Sequence, residues 1–558
     1  MQLTGAQLLI ALFERQGVDI VAGIPGGTVL PIYDALSHSP SIRHVLARHE
    51  QGAGFIAGGY ARSTGRVGVC FASSGPGATN LVTAIADAKM DSVPLVCVTG
   101  QVSASMIGTD AFQEVDTFGV TLPVVKHSFA LRDARQLLQV VPEAFRIALS
   151  GRPGPVLIDI PKNVQTQTVR FAAWPEPGAP LPAPEPDFGA VQEAARLINS
   201  AERPLLYLGG GIIHSGAAGL AVALAEKSAM PTTMTLMALG TMPAGHPLSL
   251  GMLGMHGARS TNLALEECDL LVALGARFDD RATGKVQAFC PGADIVHVDI
   301  DAAELGKIKK PQVAIKADAL AALEVLFPLV EAKPRLAWLD RVAGLKRVHG
   351  LRTPGIEDAR SHYGLISSVA QALERNSAGR LLIATDVGQH QMWVAQAYPL
   401  SRPRQWLTSG GLGTMGFGLP AAIGAALADP ERTVVCFTGD GSLKMNIQEL
   451  ATAAEEQANV KIVLMNNRSL GLVCQQQELF YGNRQFASRY RTRTDFVRIA
   501  QGFGVNALDL DAAADPRSAL DHALSEPGPC LIHATIDAGR KVFPMVPPGA
   551  ANVEMVGG

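Results

Sequence analysis

No stretch of this chain is apolar for long enough to cross a membrane. The most hydrophobic segment, residues 415–428, is short and is broken by Gly416, Gly418, Pro420 and Gly424. No basic run occurs and the formal net charge is −3, so nucleic acid is excluded as a partner. The chain does not open on a cationic stretch followed by an apolar core, and no secretory signal is expected. Cysteine is scarce: seven residues, none in a Cys-x-x-Cys pair and most inside apolar runs. They are expected to be core residues of a reduced, cytoplasmic protein. Charge is also thin, 17% against 47% hydrophobic residues, which is the balance of a well-buried enzyme and excludes a disordered chain.

What is present is a repeated alternation of short apolar runs and helical patterns. At 558 residues the chain is too long for one core. The pattern predicts an α/β protein of three doubly wound domains with mainly parallel sheets. Residues 1–165 form the first, with strand-like runs at 18–24, 42–47, 67–73 and 94–99. Six prolines between positions 175 and 186 make 166–187 a stiff tether. Residues 188–330 form the second unit. Here Gly209-Gly210-Gly211 follows a strand, and Arg277-Phe-Asp-Asp-Arg281 and Asp299-Ile300-Asp301 follow two others. An acid at 299 suits a ribose hydroxyl, whereas the 277–281 charges could equally pair with one another. Residues 331–361 are charged and less regular, a second linker, and 362–540 form the third unit. The first and third units have similar size and similar glycine turns at strand ends, which indicates a distant internal duplication. The tail, 541–558, is apolar and proline-rich, a possible lid.

The most informative stretch lies in the third unit. Thr433–Thr438 reads as a buried strand, Gly439-Asp440-Gly441 as a tight turn, residues 443–454 as a helix, and Val460–Met465 as a second strand ending on Asn466-Asn467. If these strands are parallel neighbours, the right-handed crossover sets Asp440 beside Asn467 at the carboxyl edge of the sheet, where open α/β sheets bind ligands. One carboxylate and one amide oxygen suit a Mg²⁺ ion that also holds a phosphate. Glycines in the turn let backbone approach a diphosphate. Glu50, in His49-Glu-Gln-Gly52, stands at a strand end and a helix start.

Gly-Asp-Gly followed by Asn-Asn at this spacing resembles the thiamine diphosphate signature. Together with Pro25-Gly-Gly27, His49-Glu-Gln-Gly-Ala-Gly54, Ser74-Gly-Pro-Gly-Ala-Thr-Asn80, Gly108-Thr-Asp-Ala-Phe-Gln-Glu114, Met252-Leu-Gly-Met-His-Gly257 and Arg277-Phe-Asp-Asp-Arg281, it resembles the large catalytic subunits of acetohydroxyacid synthase, also called acetolactate synthase, over nearly the whole chain. The resemblance implies a thiamine diphosphate, Mg²⁺ and FAD enzyme of branched-chain amino-acid biosynthesis. Such an enzyme decarboxylates pyruvate and condenses it with pyruvate or 2-ketobutyrate. It implies a homodimer or dimer of dimers with active sites at the subunit interface, and a separate small regulatory subunit.

Carried over residue by residue, the resemblance implies that Glu50 activates the cofactor's aminopyrimidine. Asp440, Asn467 and the Ser469 carbonyl would hold Mg²⁺. Gly27, Val387, Gly388, Gln389, His390, Gly413, Met415, Gly441, Ser442, Gly471 and Leu472 would contact thiamine diphosphate. Gly209, Gly210, Thr235, Leu236, Met237, His256, Gly275, Arg277, Asp279, Arg281, Asp299, Ile300 and Asp318 would contact FAD, which has no net redox role in this family. Gln113, Lys162 and Arg281 would act in catalysis, Arg281 receiving the second substrate's carboxylate. Phe112, Met255 and Gln476 would line the substrate pocket. Gln476 departs from the family pattern, in which a tryptophan stands there. Two other readings are open: a pyruvate oxidase, which shares both organic cofactors, and a non-catalytic relative acting as a binding subunit. The second would be expected to have lost Glu50 or Asp440.

Overall fold

The computed structural model describes residues 1–376 and 380–557. Three six-stranded sheets, all parallel, follow one another along the chain, and a short antiparallel pair, Gln2–Thr4 with Thr168–Arg170, closes the first unit. The first sheet runs, edge to edge, 43–46, 20–23, 68–72, 95–101, 155–161, 127–130. The third runs 406–407, 381–385, 433–439, 460–466, 530–535, 506–509. Counted in chain order, both read 2-1-3-4-6-5. The first and third units thus share one topology, as a distant internal duplication would give. The central sheet, 249–252, 232–234, 204–208, 270–274, 294–299, 313–316, reads 3-2-1-4-5-6, the order of dinucleotide-binding folds.

The central strands form where the sequence is a continuous apolar run, because helices cover both faces of a parallel sheet. In Thr433–Gly439 and Val460–Asn466 every residue from Val434 to Thr438 and from Val460 to Asn466 is buried. These two strands are neighbours in register, Gly439 opposite Met465, which brings the turns that follow them side by side.

The first and third units pack through two helices, Glu50–Thr64 and Gly418–Ala428. They touch backbone to backbone: a Cβ on Gly59 would overlap the Ala421 carbonyl, and one on Gly424 would overlap that of Ile56. Two expectations are corrected. Residues 331–361 are not irregular: Leu336–His349 is a helix whose Trp338 is buried and donates to the Pro204 carbonyl at 3.0 Å. The helix expected over 443–454 is two short ones, Asp440–Leu443 and Glu449–Glu455, joined by turns. The tail is folded into the body, with Val542, Met545 and Val546 buried. Among the described residues no helix is long and apolar enough to cross a membrane.

Candidate active site

Asp440 follows its strand directly and begins a four-residue helix. It is 2% exposed, and its Oδ1 has no hydrogen-bond partner. Burial pushes its pKa up to about 6, against the pull of Lys444 and of backbone N–H groups, that of Asn467 among them. A buried carboxylate oxygen left unpaired is costly, and a cation is the partner that removes the cost. The Asn467 side chain is fixed from both ends: Oδ1 accepts from the N–H (3.1 Å) and hydroxyl (3.0 Å) of Ser469, and Nδ2 donates to Gln389 Oε1 at 2.9 Å. The donor set is of hard oxygens and fits Mg²⁺.

Around this pair the backbone is cleared of side chains. A Cβ on Gly471 would overlap Gln389 Oε1, and one on Gly439 would stand 2.9 Å from His390 Nδ1. Burial holds His390 neutral, its pKa pushed down to about 3, and its Nε2 is buried without a partner, a second orphan at the same edge. Ser442 is buried and donates to the Val387 carbonyl at 2.6 Å. Gly413 has φ +70°, a left-handed turn that glycine permits. The Met415 methyl stands 3.4 Å from where a Cβ on Gly441 would be. Leu472, one residue into the helix Gly471–Phe480, is half-buried. These residues thus gather at one sheet edge.

Glu50 opens its helix, which His49 caps by accepting from the Gln51 N–H at 3.1 Å. Its Oε2 accepts from Asn80 Nδ2 at 2.9 Å, and its Oε1 lies 3.3 Å from a Cβ built on Gly77. The bonded partner of Glu50 thus comes from the first unit, not from the Asp440 edge. Gln113, at φ +62°, packs against Gly75 of the same turn. Gly27, Phe112 and Lys162 are exposed, Phe112 by 86%.

A cavity of about 310 Å³ lies where the central unit meets the first and third units. Gly209, Gly210, Thr235, Met237, Gly275, Arg277, Asp279, Asp299, Ile300 and Asp318 all line it, as do Pro180, Leu181 and Ala183 of the proline tether. Thr235 Oγ1 is buried without a partner, and burial pushes Asp299 up to about 6. The glycine turn after the first strand of the central sheet and the orphaned hydroxyl fit a dinucleotide. Leu236, His256 and Arg281 lie outside the lining. His256 is buried beneath the tail, Nδ1 3.2 Å from the Pro544 carbonyl, and burial pushes it down to about 4. Arg281 is exposed, and its carbonyl accepts from the Met255 N–H at 2.8 Å.

Models of thiamine pyrophosphate enzymes match each of the three units: the N-terminal TPP binding domain over residues 3–120, the central domain over 191–326 and the C-terminal TPP binding domain over 386–534. The acetolactate synthase isozyme 1 large subunit of Escherichia coli K12 is 61% identical over 556 residues, covering 100% of this chain and 98% of that protein. The chain belongs to the acetolactate synthase large-subunit family. The isozyme 2 large subunit of the same organism is 46% identical, covering 99% of each chain. Acetolactate synthase 1, chloroplastic, of Zea mays is 46% identical over 99% of this chain and 88% of its own.

Within this acetolactate synthase family chain, several site residues escape sequence reasoning. Asp386 is buried and accepts from the N–H groups of Val387 (3.0 Å) and Gly416 (2.8 Å), tying the segment after one strand to the loop before the helix Gly418–Ala428. Glu449 is fully buried and accepts from the Arg48 N–H at 3.1 Å, so it fixes the approach to Glu50. Gln475, not its neighbour Gln476, is the buried glutamine of the run Gln475–Gln477; Gln476 is exposed. The only local signal was the density of amides beside apolar residues.

Proposed function

We propose that this chain is the catalytic subunit of a cytoplasmic acetolactate synthase that joins pyruvate to a second 2-keto acid, pyruvate or 2-ketobutyrate, giving 2-acetolactate or 2-aceto-2-hydroxybutyrate. The observation that carries the reading is the buried, unpaired Asp440 carboxylate one strand from Asn467, in a family chain matched over its whole length. Thiamine diphosphate supplies, when bound, the carbon nucleophile that no side chain offers.

The rest falls to this chain's residues. Asp440, Asn467 and the Ser469 carbonyl would hold Mg²⁺ and, through it, a diphosphate, while His390 and the glycine turns give it room. Glu50, steadied by Asn80, would hold a proton at the aminopyrimidine, the place where a carboxylate can govern an adjacent base. Arg281 presents an exposed guanidinium beside Met255, and its planar fork suits the carboxylate of the second keto acid. The central cavity would hold FAD.

Gln113 and Lys162 would complete the centre from a second copy. Met106, Ile107, Phe112, Phe118 and Leu122 expose apolar surface along one segment of the first unit, which a homodimer or dimer of dimers would cover. A separate small regulatory subunit is a further partner of this reading. The test is to follow acetolactate and CO₂ from pyruvate with and without thiamine diphosphate. Acetolactate in step with CO₂ is expected; CO₂ with electrons passed to an acceptor would move the chain to the oxidase reading.

A further inference from the structure

The two helices that carry Glu50 and Asn80 near their starts bear, near their ends, three charged groups that the proposed chemistry does not use. Arg62 donates to Asp87 at 2.7 Å and to Asp91 at 3.0 Å, and the three side chains are nearly closed to solvent. Both carboxylates reach across to the third unit and hold one loop. Asp87 accepts from the hydroxyls of Ser409 and Thr414, the latter at 3.2 Å. Asp91 accepts from the N–H groups of Gly410 (3.1 Å) and Gly411 (2.7 Å). Arg62 also lies over the Phe417 ring, 4.9 Å from its centre, just past the loop.

The loop leads two ways. Along the chain it runs to Gly413 and Met415, and it is pinned at its far end by the bond from the Gly416 N–H to Asp386. On its other side stands the central cavity, which Arg62, Asp91 and Met237 line; a Cβ on Gly410 would overlap the Met237 sulfur. One wall thus separates the cavity from the loop, and the buried charges span it. A buried ion cluster adds little net stability, yet it allows the groups it joins few alternative arrangements.

We propose that Arg62, Asp87 and Asp91 are positioning residues that couple the central cavity to the thiamine diphosphate loop, so that FAD in the cavity raises the chain's affinity for thiamine diphosphate. Coupling of this kind is reciprocal: thiamine diphosphate raises the affinity for FAD by the same factor. The identity of the two ligands rests on the function proposed above; the coupling is a separate claim.

The test is to titrate thiamine diphosphate, with Mg²⁺ in excess, into the full chain by calorimetry, once stripped of FAD and once saturated with it. FAD is expected to tighten binding by about 10-fold, within the usual range of such couplings. Asp91→Asn keeps the shape but removes the charge and one acceptor, and should cut that factor to below twofold. Ser409→Ala, a milder change that removes one donor to Asp87, should lower it part of the way and serves if Asp91→Asn does not fold. A factor below twofold in the unaltered chain, or an undiminished factor in the variants that fold, overturns the coupling while leaving the function intact. Failure of either ligand to bind at all overturns the functional reading and the coupling with it.

Discussion

Gln475 holds the backbone of Val542 by both of its polar groups, Nε2 donating to the carbonyl at 2.9 Å and Oε1 accepting from the N–H at 2.8 Å. Gln389 donates to the same Oε1 at 3.1 Å and in turn accepts from Asn467 Nδ2, so a line of amides runs from the metal edge to the tail. Gln475→Leu would fill the space and leave two buried backbone groups unpaired, at a cost of about 1–3 kcal/mol. A lower melting temperature and faster protease cleavage near residue 542 are expected. Unchanged cleavage would mean that packing alone holds the tail.

Glu50→Gln keeps the side chain's shape and its contact with Asn80 while removing the charge. Synthase activity should fall by about 10²–10⁴-fold, the usual loss of an acid–base group, with thiamine diphosphate still bound. Exchange of the cofactor's C2 proton, followed by NMR, checks the role. Exchange at the normal rate would refute it.

Asp440→Ala removes the unpaired buried carboxylate. It should weaken binding of Mg²⁺ and thiamine diphosphate while the central cavity keeps its flavin, which absorbance reads directly. Parallel loss of both cofactors would instead report general unfolding.

Gln476→Trp addresses the acceptor. The two keto acids differ by one methylene, for which an apolar wall discriminates by about 1–3 kcal/mol. With an exposed, polar glutamine in place, little preference between acceptors is expected at equal concentrations, and the tryptophan should shift product towards 2-aceto-2-hydroxybutyrate. An unchanged product ratio in the competition assay would clear Gln476 of that role.

Asp159 predicts a pH effect on folding. It lies buried in the strand Pro155–Pro161, bonded to Thr99 Oγ1 at 2.6 Å and Gln101 Nε2 at 3.2 Å, and burial pushes its pKa from 3.8 up to about 6. A carboxyl raised in the folded state favours folding while protonated, so its contribution is complete below pH 3.8 and is lost as the pH rises through about 6. Asp159→Asn imitates the protonated form. Its stability relative to the unaltered chain should therefore improve between about pH 4 and about pH 7, by at most about 3 kcal/mol. Denaturant titrations at the two pH values measure this difference, and a constant difference would contradict it.

The parts of this molecule that the sequence makes legible are those that local pattern determines. Thr433–Gly439 and Val460–Asn466 are mostly buried runs, half of whose residues are β-branched, and the handedness of the crossover between them is nearly invariant, so the meeting of Asp440 with Asn467 follows from the chain itself. What stays hidden depends on partners distant in sequence. Asn446 breaks the helix expected over 443–454: its side chain donates to the Gly416 carbonyl at 2.7 Å. Glu449, a charged residue within that stretch, is buried where it accepts from the Arg48 N–H, some four hundred residues away. Helical spacing marks Gln475 and Gln476 alike as amides. The backbone of Val542 decides which is buried.

Gly59 and Gly424 leave no room for a methyl group between the helix that presents Glu50 and the helix that follows the Met415 loop. A joint at backbone contact cannot also serve as a hinge, since closely packed interfaces switch between discrete arrangements and do not flex. The first and third units of one chain therefore move as one solid piece. Under the function proposed above, entry of a keto acid and exit of the larger product fall to segments outside this joint.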